Sequence, residues 1–133
     1  MADTTMSLTV ETMQQIDGIS ERVADRVQSL LETKGIHVID DAIAASYRLH
    51  VVIDSLVLMV EPQDFGHVKY RCVLTITCSP TTGTSIWLDP ITQDLVRRTP
   101  ETPQEQAAGQ LAVAGKCSSE AVDAIIKAIN SQA

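Results

Sequence analysis

Basic charge is scarce in this chain. Ten Lys and Arg stand against seventeen Asp and Glu, and the net charge is −7. Only Arg97-Arg98 are adjacent, and they read as a polar strand end. Nucleic-acid binding rests on clustered cations, so that class is excluded. No apolar run reaches the roughly 20 residues that a membrane-spanning helix needs. The opening Met1-Ala2-Asp3-Thr4-Thr5 has no basic n-region and no apolar h-region, so no signal peptide is read there. A cytosolic protein, or a mature domain without its export signal, is expected.

Chemistry-bearing residues are also few. The three cysteines, Cys72, Cys78 and Cys117, form no CxxC pair, so neither a zinc site nor a redox motif is read. Cys72 and Cys78 share one strand and stand roughly 20 Å apart at strand rise, too far to bridge. Buried free thiols are expected. His37, His50 and His67 match no metal-ligand spacing. Nucleophile-elbow, HExxH and P-loop patterns are absent. No catalytic residue, metal or cofactor is predicted, and the chain is read as a non-enzyme.

Apolar residues are plentiful. They make up 44% of 133 residues, with 20% charged, which fits one folded domain over 1–133 with a short start at 1–5 open to disorder. The organising stretch is a long hairpin. Residues 47–60 and 67–78 alternate and are rich in Val, Ile, Leu, Tyr and Thr, around the turn formers of 61–66. Pairing Val60 with His67 sets Met59 opposite Val68, Val57 opposite Tyr70, Ser55 opposite Cys72 and Ile53 opposite Leu74. That register puts the odd residues of the first strand and the even residues of the second on a core face. Val52, Leu56, Leu58, Val60 and Val73 then share the outward face. Asp54 is expected to pair diagonally with Arg71.

Upstream, 6–10 reads as a strand. Ile19, Val23, Val27, Leu30 and Leu31 form a helical stripe, with Ser20 as N-cap and Gly35 as the C′ stop. Ile36-His37-Val38-Ile39 is a second strand, in a parallel crossover with the first. Asp40-Asp41 is expected to start a single helical turn over 42–46. Downstream, 84–89 returns as a third antiparallel strand, with Ile86 opposite Ile76 and Leu88 opposite Leu74. Trp87 then joins the outward face. Pro90 interrupts this strand, and 91–98 continues it at an edge. Thr102-Pro103-Gln104-Glu105 is a capping box opening the last helix, with Gly115 as its end or its weak point. Small residues near Gly109 and Gly115 allow close approach.

The expected class is therefore α/β (α+β): two layers, with two main helices on one face of a mixed, mainly antiparallel sheet. The order is β-α-β-(short α)-β-β-β-α. The outward face, with Trp87, Leu56, Leu58, Val73 and Val52, is the candidate site for a protein partner or for self-association.

Several stretches carry a resemblance. Leu30-Leu31-Glu32-Thr33-Lys34-Gly35 ends a helix before the strand at 36–39, and Ala44-Ala45-Ser46-Tyr47-Arg48-Leu49 enters the long hairpin. Thr82-Gly83-Thr84-Ser85-Ile86-Trp87 follows, then an amphipathic helix. The layout over 6–130 resembles small bacterial envelope lipoprotein domains of the YajG-like, LptE-like and TolB N-terminal-like group. The resemblance implies a non-catalytic accessory or adaptor role in a periplasmic or outer-membrane-associated assembly. It departs from that group in having no lipoprotein cysteine near its start. A membrane tether would need a lipid anchor upstream of Met1. A cytoplasmic adaptor or homo-oligomer is the alternative.

Overall fold

The computed structural model describes residues 4–13, 18–41, 43–60, 66–81, 85–88 and 90–132, except the side chains of Trp87 and Gln132. The expected connector at 14–17, the turn at 61–65, Thr82-Gly83 and the facing of the Trp87 side chain lie outside them. Among the described residues six strands and two helices follow in the order β1 (Thr5–Thr12), α1 (Ile19–Thr33), β2 (His37–Val38), β3 (Tyr47–Val60), β4 (His67–Pro80), β5 (Ile86–Trp87), β6 (Ile91–Arg98) and α2 (Pro103–Gln132). The sheet runs β2-β1-β3-β4-β5, and β6 also pairs with β4. Pairing is parallel at β1–β2 and β1–β3, and antiparallel from β3 onward. The expected class holds: an α+β fold with both helices packed on one side of a mixed sheet.

The first helix buries Ile19, Val23, Val27 and Leu31, the face its spacing predicts. Its start differs from expectation. Gly18, at φ 73°, is the N-cap, and the Ser20 hydroxyl bonds to Glu21 Oε2 inside the helix. The end is a Schellman motif. Ile36 N–H donates to the Leu31 carbonyl and Gly35 N–H to that of Glu32, both at 3.0 Å, with Gly35 at φ 87°. Ile36 and Leu31, joined by the first of these bonds, are both buried.

The expected helical turn over 42–46 is not a helix among the described residues. Asp41 Oδ1 accepts the N–H of Ile43 at 2.9 Å and of Ala44 at 3.3 Å, and the Asp41 carbonyl accepts that of Ala45. An Asp side chain competes with helix hydrogen bonding in this way and fixes a turn. This turn delivers the chain to β3.

The third antiparallel strand is split, as Pro90 predicts. The first part, β5, sets Ile86 opposite Cys78 rather than Ile76, and Leu88 N–H reaches the Ile76 carbonyl. The slip is two residues, so Ile86 and Leu88 keep to the core side and pack against it. After Pro90, β6 pairs along β4 from Leu74↔Ile91 to His67↔Arg98.

At the last helix the capping box is in place: Glu105 N–H donates to Thr102 Oγ1 at 3.2 Å, and Glu105 Oε2 accepts the N–H of Glu101 at 2.9 Å. The helix does not stop at Gly115. It runs 30 residues, about 45 Å at helical rise. Its buried face carries Val113, Ala114, Cys117, Ser118, Ala121, Val122 and Ile125. Ser118 Oγ, fully buried, donates to the Ala114 carbonyl at 2.7 Å.

Cys117 fastens this helix to the sheet. Its Sγ lies 3.5 Å from the Cys72 carbonyl on β4 and 3.4 Å from the Ile91 carbonyl on β6. All three thiols are free and buried. The Cys117 thiol beside Cys72, together with burial, pushes the Cys72 thiol far up. Burial alone raises Cys78 to about 11. Cys72 and Cys78 are therefore packed thiols and poor nucleophiles.

Candidate partner-binding face

The hairpin has two registers, joined by a β-bulge. From Tyr47↔Pro80 to Ile53↔Leu74 the pairing is the one expected from the alternation. Beyond it the pairing steps by one residue, Ser55↔Val73 to Val60↔Val68, with Asp54 extra on β3. Ile53 and Leu56 therefore both point inward, three residues apart, and Asp54-Ser55 both point out. Leu56 is 3% exposed and belongs to the core, and Leu58 packs against the core. Their expected place on the outward face is corrected. The physical reason is economical burial: the bulge buries two leucines where the straight register would bury Ser55, Val57 and Met59. A Ser55 hydroxyl facing Cys72 in a dry core would lack a partner. Val60 also leaves the outward set. It sits opposite core-facing Val68 and is 73% exposed.

The outward face that remains is a different set. Val57 and Met59 replace the leucines, at 37% and 36% exposure. Met59 and Val96 flank Lys69 on the two neighbouring strands, and Val96 is 54% exposed. Val52 and Val73 stay on this face, both half-buried, as the sequence predicts. Trp87 sits opposite Thr77 in backbone register, at the far end of the same sheet.

Polar groups on this face are tied down. Arg71 forks onto Asp94, directly opposite it on β6: Nε to Oδ1 is 2.7 Å and Nη2 to Oδ2 is 3.0 Å. Asp54 Oδ2 accepts the Thr75 hydroxyl. His50 Nε2 lies 3.1 Å from Glu11 Oε2 on β1. The bulge is thus pinned by its own aspartate, and the apolar strip borders an ordered ion pair.

The Arg71 fork, with Lys69 and Lys116 nearby, holds the Asp94 carboxyl below the usual carboxylate range. A depressed folded pKa adds stability above the unfolded pKa, and that stability is lost as pH falls through the folded value. Asp94→Asn is therefore expected to cost less than about 1 kcal/mol at neutral pH, because the pair is partly solvated. The difference from the parent should vanish below the ordinary carboxylate range, and denaturant melts across pH 2–7 check it. A difference that persists undiminished at the acid end would show that the carboxylate charge is not the source.

Among the described residues no three His, Cys, Asp or Glu converge as a metal-binding group. No described helix is long and apolar enough to cross a membrane.

No family model matches this chain, and no curated protein matches it in sequence. Solved structures do match it. A minor lipoprotein from Acinetobacter baumannii superposes with TM-score 0.67 at 16% identity, covering 92% of this chain and 91% of that one. Lipoprotein B from Nitrosomonas europaea gives 0.64 at 9% identity, over 98% and 86%. The PelC dodecamer from Paraburkholderia phytofirmans gives 0.55 at 10% identity, over 88% and 86%. At such identities the likeness is one of fold. The layout-level resemblance to bacterial lipoprotein domains holds at that level.

Proposed function

We propose that this chain is a non-catalytic accessory domain of a bacterial cell-envelope assembly, periplasmic or outer-membrane-associated, that works by holding a protein on the open face of its sheet. The observation that carries this reading is the exposed strip of Val57, Met59 and Val96 on the side away from both helices. Its apolar centre beside fixed charges has the anatomy of an interface: water-excluding contacts within a polar rim. Val52, Val73 and Trp87 extend the proposed surface toward the other end of the strands. The envelope setting rests on the fold shared with solved lipoproteins. A second reading, self-association through the same face, is favoured by the neighbour solved as a dodecamer.

A photo-crosslinking amino acid at Met59 or Val57 tests this in the native host. Adducts of defined mass should form at both positions and not at Asp123, an exposed position on α2. An adduct of twice the chain mass would select self-association. No adducts at the sheet positions, or equal adducts at Asp123, would overturn the proposal.

A further inference from the structure

A second feature lies in the helical layer. Between α1 and α2 there is a groove of about 420 Å³, with Val23, Leu111, Ala112, Ala114 and Gly115 among its lining. That volume suits a small ligand, for which about 300–1,000 Å³ is usual. The apolar part is built of small residues, and Gly115 holds it open. A Cβ placed there would meet no heavy atom within 4 Å. Glycine inside a helix costs about 1 kcal/mol relative to alanine, and here no close packing contact requires it.

The charges around this groove share one sign. Arg22, Arg26 and Lys116 line it and no carboxylate does, in a chain with seventeen acidic residues and ten basic ones. Arg22 and Arg26 stand one helical turn apart, at i and i+4, so both reach the same side. Among the described residues neither guanidinium has a side-chain partner. Lys116 Nζ donates to the Asp94 carbonyl at 3.0 Å and is held toward β6, near the Asp94 carboxylate, so the two arginines carry the groove's free charge. Two free planar forks match the oxygens of a phosphate, and the apolar floor matches an alkyl chain.

We infer that the α1–α2 groove binds a lipid-derived anionic amphiphile, with a phosphate monoester head between Arg22 and Arg26 and a hydrocarbon chain along the floor at Gly115. This site is separate from the sheet face and does not depend on it.

The test is isothermal titration of the full chain with dodecyl phosphate below its micellar concentration. Dodecyl maltoside supplies the tail with a neutral head, and inorganic phosphate the head without a tail. Dodecyl phosphate should bind one to one and at least about tenfold more tightly than either control. Arg22→Gln and Arg26→Gln should each weaken it roughly tenfold. Gly115→Leu should fill the groove and abolish binding while the melting temperature holds or rises. Equal binding of the maltoside or of free phosphate would overturn the inference, as would an absence of heat with dodecyl phosphate. So would undiminished binding in a folded Gly115→Leu chain. Should that variant fail to fold, the doubly substituted Arg22→Gln, Arg26→Gln chain decides the matter, since retained affinity there overturns the site.

Discussion

Leu56→Ala is expected to destabilise this protein by about 2–5 kcal/mol, whereas Val57→Ala should cost less than about 1 kcal/mol. The asymmetry follows from the bulge at Asp54. In the bulged hairpin Leu56 faces Cys72 and is 3% exposed, and Val57 faces Arg71 on the open side. Removing three carbons from a close-packed site loses their transfer energy and leaves a cavity beside β4. Against a total stability of roughly 5–15 kcal/mol, that is a loss of roughly 10 °C in Tm. A straight register would reverse the ranking, because Val57 would then oppose Tyr70 in the core. Urea melts of the two variants measure this directly. Val57→Ala proving the more damaging would show that the strands pair without the bulge.

The same bulge marks the limit of what the sequence alone discloses. Alternation places β4 without error, since Val68, Tyr70, Cys72, Leu74, Ile76 and Cys78 are all buried. It places β3 correctly only to Ile53. Beyond that point both phases of 54–60 carry apolar residues, so periodicity has no preference of its own. The signal was the dipeptide Asp54-Ser55, two polar residues in succession where one phase must bury a hydroxyl. The straight phase puts Leu56 and Leu58 outside and Val57 and Met59 in the core. Local chemistry reads correctly at two helix ends, though not at Ser20, which is not the N-cap, nor after Asp41, which fixes a turn instead of a helix. Thr102 with Glu105 and the Gly35 stop each work within one turn of chain, and both stand as predicted apart from the one-residue offset of the Glu105 contact. Of the two outcomes expected at Gly115 the helix takes the second and runs on, because about 1 kcal/mol cannot end a helix whose flanks are Ala-rich and packed on the sheet. The α1–α2 groove was not legible at all. It depends on Arg22 and Arg26 meeting a glycine some ninety residues away, and nothing in either segment announces the other.

Alanine in place of glycine should have opposite effects at two positions of α2, six residues apart. At Gly109 a Cβ would fall 2.3–2.8 Å from three ring carbons of Tyr70, whose side chain is 1% exposed on β4. The ring lies in a filled core, so relief requires the helix or the strand to move, at about 1–3 kcal/mol or more. The helix-propensity gain of about 1 kcal/mol opposes this and is expected to lose, because the overlap is deep and the neighbour is enclosed. Gly109→Val removes most of that gain and adds bulk, so its loss should be larger still. At Gly115 there is no such overlap, and Gly115→Ala should stabilise by up to about 1 kcal/mol. Thermal melts of the single variants give the signs. The Gly109→Ala, Tyr70→Leu double variant gives the cause: its loss should fall short of the sum of the single losses by about 1 kcal/mol or more, since the smaller side chain vacates the space the new methyl needs. Additive losses would mean that Gly109 is required for some reason other than the Tyr70 ring, and the close contact that seats α2 on β4 would have to be sought elsewhere along the helix.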